Sequence, residues 1–506
     1  MRAKFAFIVL IALSLLLSSV LAYTELSPSR SFKNGKLPVS LELKEQNSIN
    51  SSSLGVVLSL YITNPLNQKI DVYFVVSEKG GKVQTQHLGE IAPNEEASFD
   101  IPLEWSSAIL RRSYAVITDE QSSMGYEFNL NEEWQTYQND IISALAQADA
   151  VIVPFIAVFL ALLVFILMRS AYSLKDKGEL IKGEYTLATL FFPLLKGRPL
   201  DEKLADIFTD PFFWIFELVG ASMLTALILG QTLSAVGPEF GGKVFLIAGA
   251  GALVMPIIYL FCMWFADFYE REPLRFLTAV FIWGIFSAFL AYVLNTINLN
   301  LFATVLQLFG RGNEGLLILL GTALLAPVIE EVVKGIGVLI VAGHHEFDDT
   351  LDGLIYGFIC GVGFSFIEDW FYFASRANPF EWGIRGWLGL ILYRSFFNSL
   401  AHGCFTAALG AVMGYAKTHA HWKRHVHLAF LPGLFIAILL HILFNLGAVL
   451  DSIAIFQFNF PVFIFNPSLV ILLTIAFIAV FILASLDTKK RMELLKQEKV
   501  KSAKQI

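Results

Sequence analysis

Nine apolar stretches, each long enough to cross a lipid bilayer, constrain the fold of this sequence more than any other feature. About 20 helical residues, at a rise of 1.5 Å each, span the hydrocarbon core of a bilayer. The composition agrees: 56% of the 506 residues are hydrophobic and 16% are charged, against about 25% charged in a typical soluble protein. We therefore predict a polytopic α-helical membrane protein with about nine transmembrane helices. The predicted spans lie at about 150–168, 211–236, 244–267, 275–298, 314–342, 351–374, 387–416, 428–450 and 462–486.

Residues 1–22 have the pattern of a secretory signal peptide. Arg2 and Lys4 precede an apolar run that begins at Phe5, and small residues follow up to Ala22. We predict cleavage after Ala22, and an uncleaved first membrane helix is the alternative.

Residues 23–149 contain no continuous apolar run and are richer in Asn, Ser, Glu and Lys. Short segments of alternating polarity, such as 39–43, 57–62, 72–76 and 97–101, are separated by turn signals. Strands of this length with regular turns predict an extracytoplasmic β-sandwich, immunoglobulin-like, with a short juxtamembrane helix before the first span at 150–168.

The distribution of positive charge predicts the orientation of the chain. Lys and Arg are concentrated in the loop 169–210 and in the basic tail 487–506, whereas the loops on the other side carry few. Because positive charge favours the cytoplasmic side, we expect a multi-pass protein of the cell membrane with its N-terminal domain outside and its C-terminus in the cytoplasm. The formal net charge of −7 excludes a nucleic-acid-binding protein that relies on bulk positive charge.

Four of the spans within 211–486 carry the charged or imidazole side chains that we identify as candidates. Such groups are costly in lipid unless they face a partner or a water-filled cavity, so each is a candidate functional residue. Helical spacing places Lys334 near both preceding glutamates and Asn398 near His402, and the Arg394 charge requires a carboxylate partner. The polar residues are Glu330, Glu331 and Lys334 in the fifth span, Glu368 and Asp369 in the sixth, Arg394, Asn398 and His402 in the seventh, and His441 and Asn445 in the eighth.

One polar side chain from each of the four spans lies at the same depth to within one or two helical turns. Glu330, Glu368, His402 and His441 each lie about 13 to 17 residues from the cytoplasmic end of their span, which is roughly 20–25 Å at 1.5 Å per residue. We therefore expect carboxylates and imidazoles to meet in one layer near the middle of the membrane.

Carboxylates combined with imidazoles can activate water by general-base catalysis or bind a divalent metal such as zinc. No serine or cysteine has a context that favours covalent catalysis, and the three cysteines lack the spacing of a zinc site. The chemistry that this suggests is peptide hydrolysis inside the membrane, with Asn445 or a protonated His441 as an oxyanion donor. A proton- or cation-coupled secondary transporter is the alternative, although the sequence has no evident internal repeat. A non-catalytic scaffold is a third hypothesis, and it leaves the polar layer unexplained.

An ordered set of motifs over about residues 245–450 resembles the PrsW family of intramembrane proteases, which is related to the CAAX prenyl proteases and bacteriocin-processing enzymes. The approach segment 269–274, with its acidic Glu-Pro step, is also similar to that family. The motifs are Glu330-Glu331-x-x-Lys334, Asp352-Gly353, Phe364-x-x-x-Glu368, His402 and His441-x-x-x-Asn445.

The resemblance implies roles for the matching residues. Glu330 and Glu331 correspond to paired glutamates, one of which activates water, and Asn445 to a polar residue one turn after the last histidine. Glu368, His402 and His441 correspond to catalytic or metal-binding positions. Zn²⁺ bound by these three side chains and a metal-free glutamate mechanism both stay open. The resemblance also implies a substrate that is a membrane-anchored protein or peptide.

Two further patterns give expectations of structure rather than of function. Gly357, Gly361, Gly410 and Gly414 are expected to permit close packing of helices. The segment 344–349, which contains two histidines and three acidic residues, is expected to be a solvated loop.

Overall fold

The computed structural model describes residues 29–32, 38–46, 55–78, 83–104, 107–118, 125–143, 199–266, 272–308, 319–419, 422, 425–452 and 462–503. The predicted signal peptide and the predicted span at 150–168 lie outside these residues. The chain divides into two compact units. The first comprises residues 1–157, 232–247 and 375–390, and the second comprises 158–231, 248–374 and 391–506.

The first unit contains two four-stranded antiparallel sheets, with strand orders β1-β2-β3-β6 and β5-β4-β7-β8. A helical segment follows them at 131–143. The strands are β1 (Ser29–Phe32), β2 (Val39–Gln46), β3 (Gly55–Thr63), β4 (Ile70–Glu78), β5 (Val83–Ile91), β6 (Glu96–Glu104), β7 (Arg112–Thr118) and β8 (Gly125–Phe128).

Alternating apolar residues place one face of these sheets in a core. Leu41 of β2 pairs with Leu60 of β3, Leu58 pairs with Ile101 of β6, and all four side chains are buried. Successive strand residues point to opposite faces, so a period of two buries every second residue. The four predicted alternating segments fall within β2, β3, β4 and β6, which confirms the prediction of antiparallel sheets.

Nine helices follow in the rest of the described chain. A π-helical turn, Leu319–Leu325, leads into α5, and a second, Tyr372–Arg376, follows α6. Helix α7 is broken at Gly383, whose φ of 68° favours glycine. The helices are α1 (Leu200–Phe208), α2 (Pro211–Val236), α3 (Pro238–Ala266), α4 (Leu274–Leu308), α5 (Ala326–Val341), α6 (Thr350–Phe371), α7 (Pro379–Thr418), α8 (Val426–Ser452) and α9 (Val462–Ala503).

Within the described ranges, seven helices are long and apolar enough to cross a membrane: α2, α3, α4, α6, α7, α8 and α9. They correspond to seven of the nine predicted spans, which confirms a multi-pass membrane protein. Of the span predicted at 314–342, the described part consists of the π-helical turn and the 16-residue α5. The count of nine stays a prediction.

Glycines bring the backbones of α6 and α7 into direct contact. A Cβ atom on Gly361 would lie 2.1 Å from the His402 carbonyl oxygen, and one on Gly410 would lie 1.9 Å from that of Gly353. Similar clashes, at 2.4 and 2.1 Å, would arise at Gly357 and Gly414. The prediction that these glycines permit close packing is confirmed. We call this contact the glycine seam, and it fixes the backbone of His402 against α6.

The expectation of a solvated loop at 344–349 is wrong for two of its polar residues. His344 is fully buried and Asp349 is nearly so. Asp349 is the N-cap of α6 and accepts hydrogen bonds from the backbone N–H groups of Leu351 and Asp352. The second oxygen of Asp349 accepts from Arg491 of α9 at 2.6 Å. The acidic pattern therefore serves helix capping and packing rather than solvation.

Replacing Asp349 by alanine should lower the free energy of unfolding by about 0.5–2 kcal/mol for the lost cap, with a further loss because Arg491 is left with fewer partners. Thermal unfolding of the purified full chain in detergent measures the change. Asp348→Ala is the matched control, because the more exposed Asp348 side chain also contacts Arg491 and does not cap the helix. Equal losses in the two variants would contradict a capping role.

Candidate active site

Helices α5, α6, α7 and α8 bring the predicted polar side chains together in one buried cluster. His441 Nδ1 of α8 lies 2.9 Å from Glu331 Oε1 of α5, and His402 Nε2 of α7 lies 2.7 Å from Glu368 Oε2 of α6. The two imidazole rings meet edge to face, with centroids 4.8 Å apart. Side chains from four helices thus surround one small space.

Glu331 is the most fully partnered carboxylate of the cluster. Its side chain is 0% exposed. Oε1 accepts from Lys334 Nζ at 2.5 Å and from His441 Nδ1, and Oε2 accepts from the Thr406 hydroxyl at 3.0 Å. Because both oxygens are used within the protein, Glu331 is suited to orienting other groups rather than to reacting.

Glu330, the residue before Glu331, is less enclosed by partners. Adjacent residues on an α-helix point about 100° apart, and the Glu330 side chain is 14% exposed. Oε2 lies 3.7 Å from His441 Nε2, beyond hydrogen-bond distance. Oε1 receives a 3.4 Å contact from Asn295 Nδ2 of α4. One oxygen of Glu330 therefore remains available beside the two histidines.

The contacts of His441 assign its hydrogen. A carboxylate only accepts hydrogen bonds, so the contact with Glu331 places the hydrogen on Nδ1 and leaves a lone pair on Nε2. The lone pair faces Glu330.

The contacts of His402 assign the other tautomer. Lys334 Nζ lies 2.9 Å from Nδ1, and an ammonium group can only donate, so Nδ1 is the acceptor. Nε2 then carries the hydrogen and faces Glu368. Lys334 also lies over the Phe364 ring at 4.1 Å, which places its charge among an acid, an imidazole and an aromatic face.

Arg394 joins the two carboxylates at the end of α6. Nη2 donates to Glu368 Oε1 and Nε donates to Asp369 Oδ1, each at 3.1 Å. Asn398 Nδ2 donates to the same Asp369 oxygen at 3.0 Å. Asp369 is fully buried, whereas the Glu368 side chain is 36% exposed. The arrangement orients Glu368 toward His402 while leaving it accessible.

Asn445 lies one turn after His441 and is directed at the π-helical turn before α5. Its Nδ2 donates to the Thr322 carbonyl at 3.0 Å. An amide NH₂ group has two donors, so this contact uses one of them.

Three polar residues of the spans were not predicted from the sequence, and two of them, Asn295 and Thr406, contact the cluster. Asn295 lies near the end of a predicted span, where an asparagine is unremarkable, and Thr406 resembles any small residue of a packed helix. Glu217 is a carboxyl group inside the predicted span 211–236 that was overlooked. It is buried, it has no hydrogen-bond partner within the described chain, and it is not one of the cluster's contacts given above.

The cluster fits a divalent metal in its donor set. Glu330, His402 and His441 each offer one ligand atom, and these atoms lie within 4.8 Å of one another. Two histidines and one carboxylate are a ligand set of catalytic zinc. The Glu331–His441 hydrogen bond is of the kind that orients a metal-binding imidazole. Glu368, which the sequence suggested as the carboxylate ligand, is outside this group, and binding through His402 Nε2 requires loss of its hydrogen.

The net charge of the cluster is also compatible with a divalent metal. With the acids ionised and the imidazoles neutral, four carboxylates face two cationic side chains, which leaves two negative charges in excess. Buried charge that is not compensated is costly, and either protonation of two of the acids or one divalent cation would balance it. The acids are Glu330, Glu331, Glu368 and Asp369, and the cations are Lys334 and Arg394.

Comparison with known proteins gives a family match for this region. Residues 272–480 match the family model described as "PrsW family intramembrane metalloprotease". The chain is 30% identical over 120 residues to Protease PrsW of Oceanobacillus iheyensis, which covers 23% of this chain and 49% of that protein. It is 27% identical over 164 residues to Protease PrsW of Geobacillus kaustophilus, which covers 31% of this chain and 62% of that protein.

The chain therefore spans about half to three-fifths of the length of these curated relatives. No solved structure matches it. The matches favour the protease hypothesis over the transporter alternative.

Replacing Arg394 by leucine should destabilise the protein by about 3–5 kcal/mol, because removing one partner of a buried ion pair leaves the other charge uncompensated. Here the uncompensated group is Asp369. Thermal unfolding of the purified chain measures the loss. Adding Asp369→Asn to the same variant should restore most of the stability, since it removes the stranded charge. A double variant as unstable as Arg394→Leu alone would contradict this account.

Proposed function

We propose that this chain, whose residues 272–480 match the PrsW family model, is an intramembrane endopeptidase that hydrolyses peptide bonds of membrane-anchored substrates with a glutamate-activated water. The observation that carries the proposal is the unequal environment of the paired glutamates. Glu331 is enclosed by Lys334, His441 and Thr406, whereas Glu330 keeps an oxygen beside His441 Nε2.

Glu330 is the proposed general base. It accepts a proton from water as the water oxygen attacks the carbonyl carbon of the substrate, and it delivers this proton to the nitrogen when the C–N bond breaks. Glu331 positions His441, and Lys334 positions His402 through their direct contacts. The second N–H of Asn445 is the proposed donor to the oxyanion that forms in this step.

As the alternative to this metal-free step, in which Glu330 would be a ligand rather than the base, Glu330, His402 and His441 would hold a divalent metal such as Zn²⁺. When bound it would act as a Lewis acid and lower the pKa of its water. Glu368 contacts His402 and remains partly exposed, so we assign it the supporting role of orienting that imidazole, together with Arg394, Asp369 and Asn398.

For the whole chain we propose nine transmembrane helices, an external N-terminal domain and a cytoplasmic C-terminus. An immunoglobulin-like fold for the N-terminal sheets is part of this proposal. Strands β2-β3-β6 and β5-β4-β7-β8 correspond in order to A-B-E and C′-C-F-G of that fold, and β1 is an addition.

Glu330→Gln should reduce cleavage of a single-span reporter by about 10²–10⁴-fold, because an amide cannot accept the proton. The full chain in lipid vesicles, with its Zn²⁺ content measured, provides the assay. Glu331→Gln is the matched variant. It should lower both cleavage and the unfolding temperature, because it leaves the buried Lys334 without a carboxylate, whereas Glu330→Gln should leave the unfolding temperature close to that of the wild type. Full cleavage by Glu330→Gln would refute the proposed base.

Asn295→Ala should lower kcat by about 10- to 100-fold, the usual effect of removing a group that orients an active-site residue, with little change in KM. Asn298→Ala is the control, because Asn298 lies on the same helix and donates to its own Leu294 carbonyl. Asn295→Gln, which keeps the amide donor, should recover part of the rate. Equal effects of the two alanine variants would show that Asn295 has only a structural role.

A further inference from the structure

Helix α1 presents an apolar stripe to its surroundings. Leu200, Leu204 and Ile207 are 73%, 51% and 45% exposed. Their spacing of four and three residues places them on one face of the helix. Three large apolar side chains on one face of a nine-residue helix need an apolar partner.

Other side chains of α1 are packed against the rest of its unit. Ala205 and Phe208 are buried. Asp206, which is also buried, accepts from Arg275 Nη2 of α4 at 3.3 Å. These contacts determine how α1 is rotated about its axis. The stripe therefore faces away from the residues on which α1 packs.

The stripe continues into the lipid-facing surface of α2. The two helices are separated by a short turn in which Asp210 accepts from the Phe212 backbone N–H. Trp214 Nε1 donates to the Phe208 carbonyl at 3.1 Å, and tryptophan is enriched at membrane–water interfaces. Phe212 and Phe216 of α2 are strongly exposed in this membrane-spanning helix. Exposed apolar side chains therefore follow one another along the chain from α1 into the membrane-spanning helix α2.

Helix α1 also contacts the segment that follows α5. His345 Nδ1 lies 3.4 Å from Glu202 Oε1, and His344 Nε2 lies 3.9 Å from Asp206 Oδ1. A Cβ atom on Gly343 would lie 3.0 Å from the Asp201 Cβ. The helix with the outward apolar stripe is thus attached to the end of the helix that carries Glu330 and Glu331.

We propose that α1 is a membrane-surface helix whose Leu200, Leu204 and Ile207 side chains insert at the boundary between lipid headgroups and acyl chains, and that it sets the depth of α5 in the bilayer. An amphipathic helix of this kind lies in the plane of the interface. The proposed lipid contact does not depend on the proposed function. Only the consequence of this contact for the depth of Glu330 and Glu331 rests on the proposed function.

Spin labels test the lipid contact in the full chain, reconstituted in phosphatidylcholine vesicles. Single cysteines at positions 204 and 207 are labelled in a Cys262→Ser background, since Cys360 and Cys404 are buried. We expect greater collision with oxygen than with a water-soluble nickel chelate, as for a label at Phe216. A label at the exposed Asp201 should show the reverse. A water-like pattern at 204 and 207 would overturn the proposal, and so would spin–spin broadening from a second copy covering the stripe.

A label at Ile336, an exposed residue of α5, tests the depth. Replacing Leu204 and Ile207 together by glutamine should shift the measured depth of this label, and Asp201→Asn should not. An unchanged depth in the glutamine variant would overturn the depth assignment. Neither measurement uses proteolysis, so the result is separate from that of the Glu330→Gln assay.

Discussion

The buried ion pair between Glu331 and Lys334 is the interaction on which the rest of the cluster depends. Both side chains are fully buried, and their attraction alone does not recover the cost of removing two charges from water. Additional hydrogen bonds compensate for that cost. Glu331 reaches Thr406 of α7 and His441 of α8, and Lys334 reaches His402. The ion pair therefore joins three helices, and it assigns opposite tautomers to the two histidines.

In the proposed mechanism, structural and chemical roles are divided between two adjacent residues. Consecutive helix positions face different directions, so one glutamate can be enclosed while the next keeps an oxygen beside His441. The polar contact of Glu330 is with the neutral amide of Asn295 rather than with a cation. This contact does not neutralise the negative charge of Glu330. A general base needs a negative charge that no neighbouring cation neutralises. Glu331 lacks this property because it is paired with Lys334.

The sequence was sufficient to predict much of this site. Charged groups in apolar spans are costly enough to be informative, so Glu330, Glu331, Glu368, His402 and His441 were identifiable without a structure. The proposed division of roles between Glu330 and Glu331 was not predictable from the sequence, because it depends on which neighbouring helix each side chain contacts. Asn295 and Thr406 were missed since neither residue type is unusual in a membrane helix. The burial of His344 and Asp349 was also missed, because an acidic, histidine-containing loop resembles a solvated one until its packing partners are known.

The glycine seam between α6 and α7 determines how the site responds to the physical state of the bilayer. Backbone atoms in direct contact cannot move closer, and a packed interior is poorly compressible. The helices that carry Glu368 and His402 therefore keep their separation when lateral pressure changes with lipid composition. Helix α9 contacts its neighbours through side chains such as Phe477, which packs on Phe358, and such contacts can adjust. We therefore expect a change in lateral pressure to shift α9 rather than α6 or α7. The distance between the Glu368 carboxylate and the His402 imidazole is then expected to stay constant.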